Sequence, residues 1–391
     1  MGPVVRRPDV IGPVALDPVA LDPGVDPGHE AATARVAHSV AHQSSLPPDP
    51  ARPSQPTVGT VAVIGAGLAG LAAARTLADA GVQVTVFEKS RGVGGRAATR
   101  REGPWAFDHG AQYATFRDAR LAPWVASWAD AGVLVEWSAR IAVRDDGVWR
   151  DSPNGPTRWV AAPGMSSLAR HLAHGLAVRT GTTVASATRS AAGWELIDAD
   201  GASLGTFDHL LVTAPAPQAA ALLAPHAPAL AAECERVVFH PCRAVLCVLE
   251  RPALLPWDAA FVNDDPHLAW VARNAAKPGR DAAHECWVLH ATRAHSVATL
   301  EDESSAAIAP MLEAFTRLLG SDAPRVIHAQ GHRWRYAIPD PVLEAEAVWD
   351  DSVQAGLAGD WCGGPRIEGA LLSGVALARR LLGYGAAYAR M

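Results

Sequence analysis

The chain has 391 residues, of which 49% are hydrophobic and 19% are charged, and its formal net charge is −6. These values are typical of a globular protein of about two domains. The net acidity gives no electrostatic reason to expect nucleic acid or an anionic membrane as a partner. No apolar run approaches the roughly 20 residues of a membrane span, and the five cysteines form no C-x-x-C pair. We therefore predict a cytoplasmic protein with reduced thiols.

Residues 1–57 differ in composition from the rest of the chain. They contain a short repeat, "PVALDPVALDPGVDPGHE", and a proline-rich stretch, "SSLPPDPARPSQPT". Such a segment buries too little apolar surface to offset its ordering entropy. We predict a disordered N-terminal extension. Two origins stay open: a genuine tail, or a start codon placed too far upstream, with the functional chain beginning near Val58.

The stretch from Val61 to Arg96 predicts a dinucleotide-binding unit. Val61 to Ile64 reads as a buried parallel strand, a helix follows to about Ala80, and a second strand runs from Val82 to Phe87. The intervening turn carries the G-x-G-x-x-G pattern Gly65, Gly67 and Gly70, which lets the backbone approach a pyrophosphate at a helix N-terminus. Glu88 ends the second strand and is placed to accept hydrogen bonds from ribose hydroxyls.

The sequence after Glu88 indicates which dinucleotide is bound. It reads "EKSRGVGGR" and places Gly94, Gly95 and Arg96 just beyond the ribose-binding acid. A guanidinium at this place can reach phosphates with a rigid fork of donors. The arrangement resembles flavoproteins of the amine oxidase type, including the renalases. The resemblance implies FAD, held without a covalent bond.

A second motif near the C-terminus favours the same cofactor. Gln354 to Ala358 predicts a strand that leads into Gly359-Asp360, and Ile367 to Leu382 predicts a helix. In related FAD-binding folds this aspartate contacts the ribityl chain or pyrophosphate, and the helix N-terminus points at the flavin pyrimidine edge. Gly369 and Gly374 are expected to let this helix approach the ring, and Val184 is expected to offer its backbone to adenine.

Together these features predict a set of FAD-binding residues: Gly65, Gly67, Leu68, Ala69, Gly70, Glu88, Lys89, Gly95, Arg96, Ala111, Gln112, Val184, Gly359, Asp360, Glu368, Gly369 and Ala370.

Four further stretches narrow the resemblance to renalases of the bacterial branch. They are "FDHGAQYATF", "APGMSSLARHL", "NAAKPGR" and "HRWRYAIP", in matching order, and the similarity spans about residues 58–385. The implied fold is α/β: a doubly wound FAD-binding domain, like those of glutathione reductase and p-hydroxybenzoate hydroxylase, with an inserted α+β substrate domain. We expect residues 58–113, 158–235 and 329–391 in the FAD-binding domain, and residues 114–157 and 236–328 in the substrate domain.

The resemblance also implies an activity. Renalase-like enzymes take a hydride from 2- or 6-dihydro isomers of NAD(P) onto flavin N5, and O₂ then reoxidises the flavin and gives H₂O₂. No catalytic side chain is assigned, because a dihydropyridine is already a hydride donor and the flavin does the chemistry. The expected partners are this small-molecule substrate and O₂. The residues expected to line the substrate are Gln112, Tyr113, Arg243, Trp334, Arg335 and Tyr336.

Two other functions stay open at this stage. The first is flavin-dependent amine oxidation, in which a lysine commonly lies near flavin N5 through a water; this chain has only Lys89 and Lys277, and neither is in the expected strand. The second is a non-catalytic flavoprotein that serves as a sensor or structural protein. We predict no metal site, because the histidine pairs at helical spacing have no cysteine or carboxylate grouped with them.

Overall fold

The structure, a computed structural model, describes residues 58–153 and 155–383. The predicted extension over residues 1–57 lies outside the described residues. The helices of the described part are α1 (Leu68–Asp79), α2 (Ala122–Asp130), α3 (Ser166–Ala173), α4 (Ala216–Leu223), α5 (Pro228–Glu235), α6 (Arg293–Ala298), α7 (Ile308–Leu319) and α8 (Ile367–Leu381). Short 3-10 turns cover Gly95–Ala97, Ala119–Leu121, Asn274–Ala276 and Ser304–Ala307.

The strands of the first half are β1 (Val61–Ile64), β2 (Val84–Glu88), β3 (Thr99–Glu102), β4 (Trp105–Asp108), β5 (Leu134–Glu136), β6 (Ile141–Asp145), β7 (Val148–Asp151), β8 (Trp159–Ala161), β9 (Ala177–Thr180) and β10 (Val184–Ser190). Those of the second half are β11 (Gly193–Asp198), β12 (Ser203–Phe207), β13 (His209–Val212), β14 (Phe239–Leu249), β15 (Ala259–Val262), β16 (Leu268–Arg273), β17 (Glu285–Ala291), β18 (Val326–Pro339), β19 (Val348–Asp350) and β20 (Ala355–Leu357).

Most of the predicted boundaries near the two glycine motifs are confirmed, with small differences that have local causes. β2 begins at Val84 because the Val82 N–H donates to Leu77 O and closes the end of α1. β20 begins after Gln354, whose φ of 56° lies outside the strand region.

The first of two large sheets has six strands in the order β19-β20-β13-β1-β2-β9. Its neighbours are parallel except for β19 and β20. β1 lies between β2, which follows it closely in the chain, and β13, which comes much later. The winding of the chain therefore reverses at β1, and in such sheets a ligand-binding crevice opens at this point, outside the carboxyl ends of the strands.

Both faces of this sheet are covered. One side packs an apolar cluster that includes Leu71 and Leu77 of α1 and Leu371 and Leu377 of α8. The other side packs a cluster that includes Trp194 of the antiparallel β10-β11-β12 sheet. This arrangement confirms the predicted doubly wound α/β fold.

The close contact of α1 and α8 depends on a glycine. A Cβ atom at Gly374 would lie 2.1 Å from Ala69 O, so a larger residue would push the two helices apart. The expectation that Gly374 makes room for the flavin ring is therefore corrected: this glycine makes room for α1.

The second large sheet has seven strands in the order β18-β14-β17-β16-β15-β6-β7. Its strands pair antiparallel except for β15 and β6. One face packs on α7, where Met311 and Phe315 join an apolar cluster with Trp287. Side chains at the alternate strand positions, such as Phe261 and Trp270, point to the opposite face and pack in the apolar cluster that also contains residues of α1 and α8. We call this second surface the inner face.

The predicted division into domains stays a prediction, but one sheet crosses a predicted boundary. β18 continues the seven-stranded sheet to Pro339, beyond the boundary expected at residue 329. All described residues belong to one compact unit. None of the helices within residues 58–153 and 155–383 is long and apolar enough to cross a membrane.

Candidate functional site

The turn after β1 has the shape that a pyrophosphate needs. Gly65 has a φ of 105°, and a Cβ at Gly70 would lie 2.0 Å from Gly65 O, so both positions require glycine. A Cβ at Gly67 would meet nothing within 4 Å, so the backbone there borders open space. Leu68 and Ala69 begin α1, and the N–H groups of a first helical turn have no partner within the helix. The free N–H groups of this first turn and the open space beside Gly67 together fit a phosphate group.

Glu88 is fixed at the end of β2. Its Oε2 accepts a hydrogen bond from the Ala66 N–H and its Oε1 accepts one from the Ser90 N–H, each at 2.8 Å. A carboxylate has about four acceptor sites, so two remain for the hydroxyls of a ribose. The side chain of the adjacent Lys89 is exposed, and its Nζ donates to Gln218 Oε1 at 3.3 Å.

The structure brings the two distant motifs together through one ion pair. Arg96 donates to both carboxylate oxygens of Asp360, at 2.7 Å each, although the residues are 264 positions apart. Burial raises the pKa of Asp360 above its ordinary value, and Arg96 opposes this rise. Gly95 has a φ of 53°, and a Cβ there would lie 3.5 Å from the Cα of Gly67, so this loop rests against the glycine turn.

The N-terminus of α8 is held by its own first-turn carboxylate. Glu368 Oε1 accepts hydrogen bonds from the backbone N–H groups of Arg117 (2.5 Å) and Asp118 (2.7 Å). A Cβ at Gly369 would lie 2.2 Å from Gly364 O, so the preceding loop also packs tightly against the helix. Glu368 therefore positions this helix terminus from within the protein, and the following residue, Ala370, lies on the same first turn.

Val184 is the first residue of β10, where it is half-buried and packs against the apolar cluster beneath the parallel sheet. It lies outside the loops that carry the other predicted FAD-binding residues. Its expected contact with adenine stays a prediction.

A buried charged cluster connects the segment after β4 with the loop between β16 and β17. We call Asp108, Gln112, Lys277 and Arg280 the Asp108 cluster. Asp108 Oδ2 lies 2.5 Å from Arg280 Nη2 and 3.4 Å from Lys277 Nζ, and the Asp108 and Lys277 side chains are fully buried. Oδ1 accepts from the Met165 N–H at 2.9 Å. Asp108 ends β4, whereas Lys277 and Arg280 follow β16.

The electrostatics of this cluster are set by burial and by the opposed charges. Burial raises the pKa of Asp108, but Lys277 and Arg280 lower it more in combination, and the result lies below the ordinary value. Burial lowers the pKa of Lys277 to about 8, although Asp108 opposes this change. Asp108 is therefore ionised at neutral pH, and its charge offsets the two cations.

Gln112 is held in a single orientation by the same cluster. Lys277 Nζ donates to Gln112 Oε1 at 3.1 Å, and Gln112 Nε2 donates to Asp108 O at 2.5 Å and Gly110 O at 2.9 Å. Ala111 and Tyr113, on either side, are also buried. The structure thus makes Gln112 a fixed part of the 108–113 segment, with its amide nitrogen already engaged.

Three imidazoles lie beside this segment. His290 Nε2 donates to His109 O at 3.1 Å, and His109 Nδ1 donates to Ala98 O at 3.1 Å. The rings of His109 and His332 are 4.7 Å apart. Burial lowers the pKa of His290 and of His332 to about 4, and that of His109 to about 3. All three are neutral at neutral pH.

The predicted substrate residues fall into two groups. Trp334 Nε1 donates to His109 O at 3.0 Å, and the Tyr336 ring contacts Phe239, over which Arg96 lies. These two aromatic residues therefore face the segments that carry the cofactor motifs. Tyr113 packs against Trp270 of the inner face, with ring centres 6.1 Å apart.

The two predicted arginines lie on the other side of the sheet. Arg335 pairs with Glu301 at 2.7 Å through both Nη atoms. Arg243 is buried and donates to Thr299 O and, at 2.6 Å, to Asp302 O. Because successive side chains of a strand point to opposite faces, both arginines project toward the segment between α6 and α7 rather than toward Trp334.

Sequence reasoning missed Asp108, Lys277 and Arg280 as members of the site. The sequence did contain a signal for these residues. Asp108 lies in "FDHGAQYATF", and Lys277 and Arg280 lie in "NAAKPGR", two of the stretches that resemble renalases, and Lys277 is one of only two lysines. Within the described residues no group of three or more His, Cys, Asp or Glu side chains could hold a metal ion. The five cysteines, all within the described residues, are buried and free.

Comparison with known proteins identifies the family. A family described as "NAD(P)-binding Rossmann-like domain" matches residues 63–124, and one described as "Flavin containing amine oxidoreductase" matches residues 117–382, more than half of the chain. The chain belongs to the flavin containing amine oxidoreductase family. It is accordingly an FAD-dependent oxidoreductase, as predicted.

Solved structures show the same fold at low sequence identity. A protein from Exiguobacterium sp. 255-15, provisionally assigned as a protoporphyrinogen oxidase, has a TM-score of 0.65 at 15% identity and covers 83% of this chain and 99% of its own. Putrescine oxidase bound to putrescine has a TM-score of 0.65 at 13% identity, with coverage of 83% and 99%. An oxidoreductase from Methanosarcina mazei has a TM-score of 0.61 at 15% identity, with coverage of 81% and 99%. At these identities the likeness concerns the fold alone.

The geometry of Glu88 leads to a test of the cofactor site. We expect Glu88→Ala to raise the dissociation constant of FAD at least about tenfold, because a charge-assisted hydrogen bond contributes about 1.5–3 kcal/mol. Flavin fluorescence during titration of the apoprotein gives this constant. The control is Glu195→Ala, which removes an exposed carboxylate of β11. Equal affinity in wild type and Glu88→Ala would show that another group holds the ribose.

The buried imidazoles lead to a prediction about pH. His290 has a pKa of about 4 in the folded protein against an ordinary 6.5, so the unfolded chain binds more protons between these values. Stability is therefore expected to fall as the pH is lowered from 6.5 toward 4. His290→Gln should reduce this slope by up to about 1.4 kcal/mol per pH unit, measured by urea unfolding. The control is His171→Gln on the exposed side of α3, and an unchanged slope in His290→Gln would contradict the assignment.

Proposed function

We propose that the protein is a renalase-like oxidase that takes a hydride from 2- or 6-dihydro isomers of NAD(P), with O₂ as the final acceptor. The observation that carries the proposal is the state of Lys277. Its Nζ is fully buried, contacts Asp108 and Gln112, and lies 5.6 Å from the centre of the Trp137 ring. Lys277 follows the Asn274–Ala276 turn rather than lying in a strand, where amine oxidases of this type commonly supply the lysine that reaches flavin N5 through water.

The aromatic residues of the site give further support. Trp334 and Tyr336 lie on the side of β18 that faces His109 and Arg96. Such rings offer a flat surface against which a dihydropyridine can stack. The Asp108 cluster holds the 108–113 segment in place, so the chain's part in the reaction is to position the substrate.

We propose that the predicted residues of the glycine turn, together with Glu88, Arg96, Asp360 and the first turn of α8, hold FAD without a covalent bond. When bound, FAD supplies a hydride acceptor at its N5 atom. Burial raises the pKa of the Cys362 thiol, so this cysteine stays protonated and is a poor nucleophile for attachment. In the net reaction the substrate loses a hydride, O₂ gains this hydride and a proton, and the products are NAD(P)⁺ and H₂O₂.

Amine oxidation is the second candidate, and the family assignment favours it. The putrescine oxidase with a similar fold was solved with putrescine bound. In this chain the other lysine, Lys89, is exposed and contacts Gln218 on α4. Neither lysine lies in a strand, since Lys89 follows β2 and Lys277 follows the Asn274–Ala276 turn. Membership of an oxidoreductase family leaves the non-catalytic alternative without support, and a cytoplasmic location stays a prediction.

The proposed substrate is tested by anaerobic rapid mixing. We expect 2- or 6-dihydro-NAD(P) to bleach the flavin absorbance within seconds and ordinary 4-dihydro-NADH to do so at least about tenfold more slowly, because hydride transfer requires the donor carbon about 3–3.5 Å from N5. Putrescine, spermidine and benzylamine serve as the amine panel. Rapid reduction by an amine, with none by any dihydronicotinamide, would establish the amine oxidase alternative instead.

A further inference from the structure

Arg158 lies beside Tyr113, one of the residues that we expect to line the substrate. It directly precedes β8, and its carbonyl oxygen accepts a hydrogen bond from the Trp137 N–H at 2.8 Å. Its guanidinium carbon lies 5.6 Å from the centre of the Tyr113 ring, within the range of a cation–π contact. The side chain is half-buried. It is therefore held against a residue that we expect to line the substrate.

The guanidinium of Arg158 has unused hydrogen-bonding capacity. Within residues 58–153 and 155–383, no carboxylate lies within 4.0 Å of it and no acceptor takes a hydrogen bond from it. Glu136 is in the strand that pairs with β8, opposite Trp159, yet it forms no ion pair with Arg158. A guanidinium has five N–H donors, so a cation at this place can receive an anionic ligand without first breaking an ion pair.

The charges around Tyr113 favour an anion. The Tyr113 and Trp137 rings are 6.0 Å apart, and Lys277 Nζ lies 5.6 Å from the centre of the Trp137 ring. Asp108 is the carboxylate of the adjacent cluster, and it already faces two cations, Lys277 and Arg280. Arg158 adds a third cation, and with Asp108 and the exposed Glu136 as the carboxylates the region still carries a small excess of positive charge, in a chain whose formal net charge is −6.

We infer that Arg158 binds a phosphate group of the substrate. This inference rests on the proposed function, because it takes the phosphates of the proposed substrate as the anion that reaches the guanidinium beside Tyr113. A planar guanidinium matches two phosphate oxygens with two parallel N–H donors. We take this contact to be equally strong in the ground state and the transition state, so it governs affinity and the choice of substrate rather than the rate of hydride transfer.

The first experiment measures anion binding directly on the FAD-loaded protein. Inorganic pyrophosphate is titrated by calorimetry into wild type, Arg158→Gln, Arg158→Lys and Arg150→Gln. The last is the matched control, an exposed arginine of β7 that pairs with Asp145 at 3.0 Å. We expect Arg158→Gln to weaken binding about tenfold, as loss of a charge-assisted contact predicts, Arg158→Lys to weaken it less, and Arg150→Gln to leave it unchanged. Equal binding in wild type and Arg158→Gln, or none in wild type, would overturn the inference.

The second experiment separates this inference from the proposed function. Anaerobic reduction is followed with 2- or 6-dihydro-NAD and with the corresponding dihydronicotinamide riboside, which lacks phosphate. We expect Arg158→Gln to raise the half-saturating concentration of the dinucleotide about tenfold, with an unchanged limiting rate, and to leave the riboside unaffected. An unaltered dinucleotide response would refute the role of Arg158 while the proposed activity stands. Pyrophosphate binding that depends on Arg158, without reduction by any dihydronicotinamide, would support the anion site and refute the activity.

Two measurements distinguish a loss of phosphate binding in the Arg158 variants from a loss of folding. Arg158→Gln is expected to melt within about 2 °C of wild type, because a half-buried side chain without an ion pair contributes little to stability. Arg158→Lys keeps the positive charge but loses the fork geometry, so its intermediate pyrophosphate affinity reports on recognition rather than on folding. If both variants kept wild-type affinity for pyrophosphate, Arg158 would have no role in binding anions.

Discussion

The buried carboxylate of Asp108 is the constraint on which the arrangement of the site depends. A fully buried ion is costly unless opposite charges and hydrogen bonds surround it, and here Lys277 and Arg280 come from the loop between β16 and β17 while the Met165 N–H comes from the start of α3. None of these groups can move away without leaving a charge or a donor unpaired. The segment from Asp108 to Tyr113 is thereby fixed against the inner face, with Gln112 held by Lys277, and His290 and Trp334 both donate to His109 O within it.

On the cofactor side, a second set of contacts fixes the crevice at the switch point of the parallel sheet. Glu88 is tied to the backbone of the glycine turn, and Arg96 joins that region to Asp360 near the other end of the chain. The N–H groups of the first turn of α1 stay available for phosphate. The two sets meet because Ala111 N–H donates to Arg96 O at 2.9 Å. The segments that we propose to bind the cofactor and to face the substrate thus form one connected unit, as the proposed hydride transfer between two bound molecules requires.

The parts of this site that could be predicted from sequence are those with a local signal. The turn from Gly65 to Gly70 and the acid at Glu88 follow from spacing along one βαβ unit. Lys277 could not be placed in the same way, because its partner Asp108 is 169 positions away and the pairing is visible only in the folded chain. The side of a strand on which Arg243 and Arg335 project depends on register, and β14 and β18 shift register between His240 and Cys242. A one-residue change in register reverses the face of every side chain.

The account is tested most directly by a double-mutant cycle on Asp108→Asn and Lys277→Met, read out as the free energy of unfolding in urea. Each single change is expected to cost about 3–5 kcal/mol, because it leaves a buried charge or donor uncompensated. The double variant should be more stable than the sum of the two losses implies, by at least about 1 kcal/mol, since both charges are then removed. Costs that add within about 0.5 kcal/mol would show that the two residues are energetically independent, and that result would contradict the central role of the buried carboxylate.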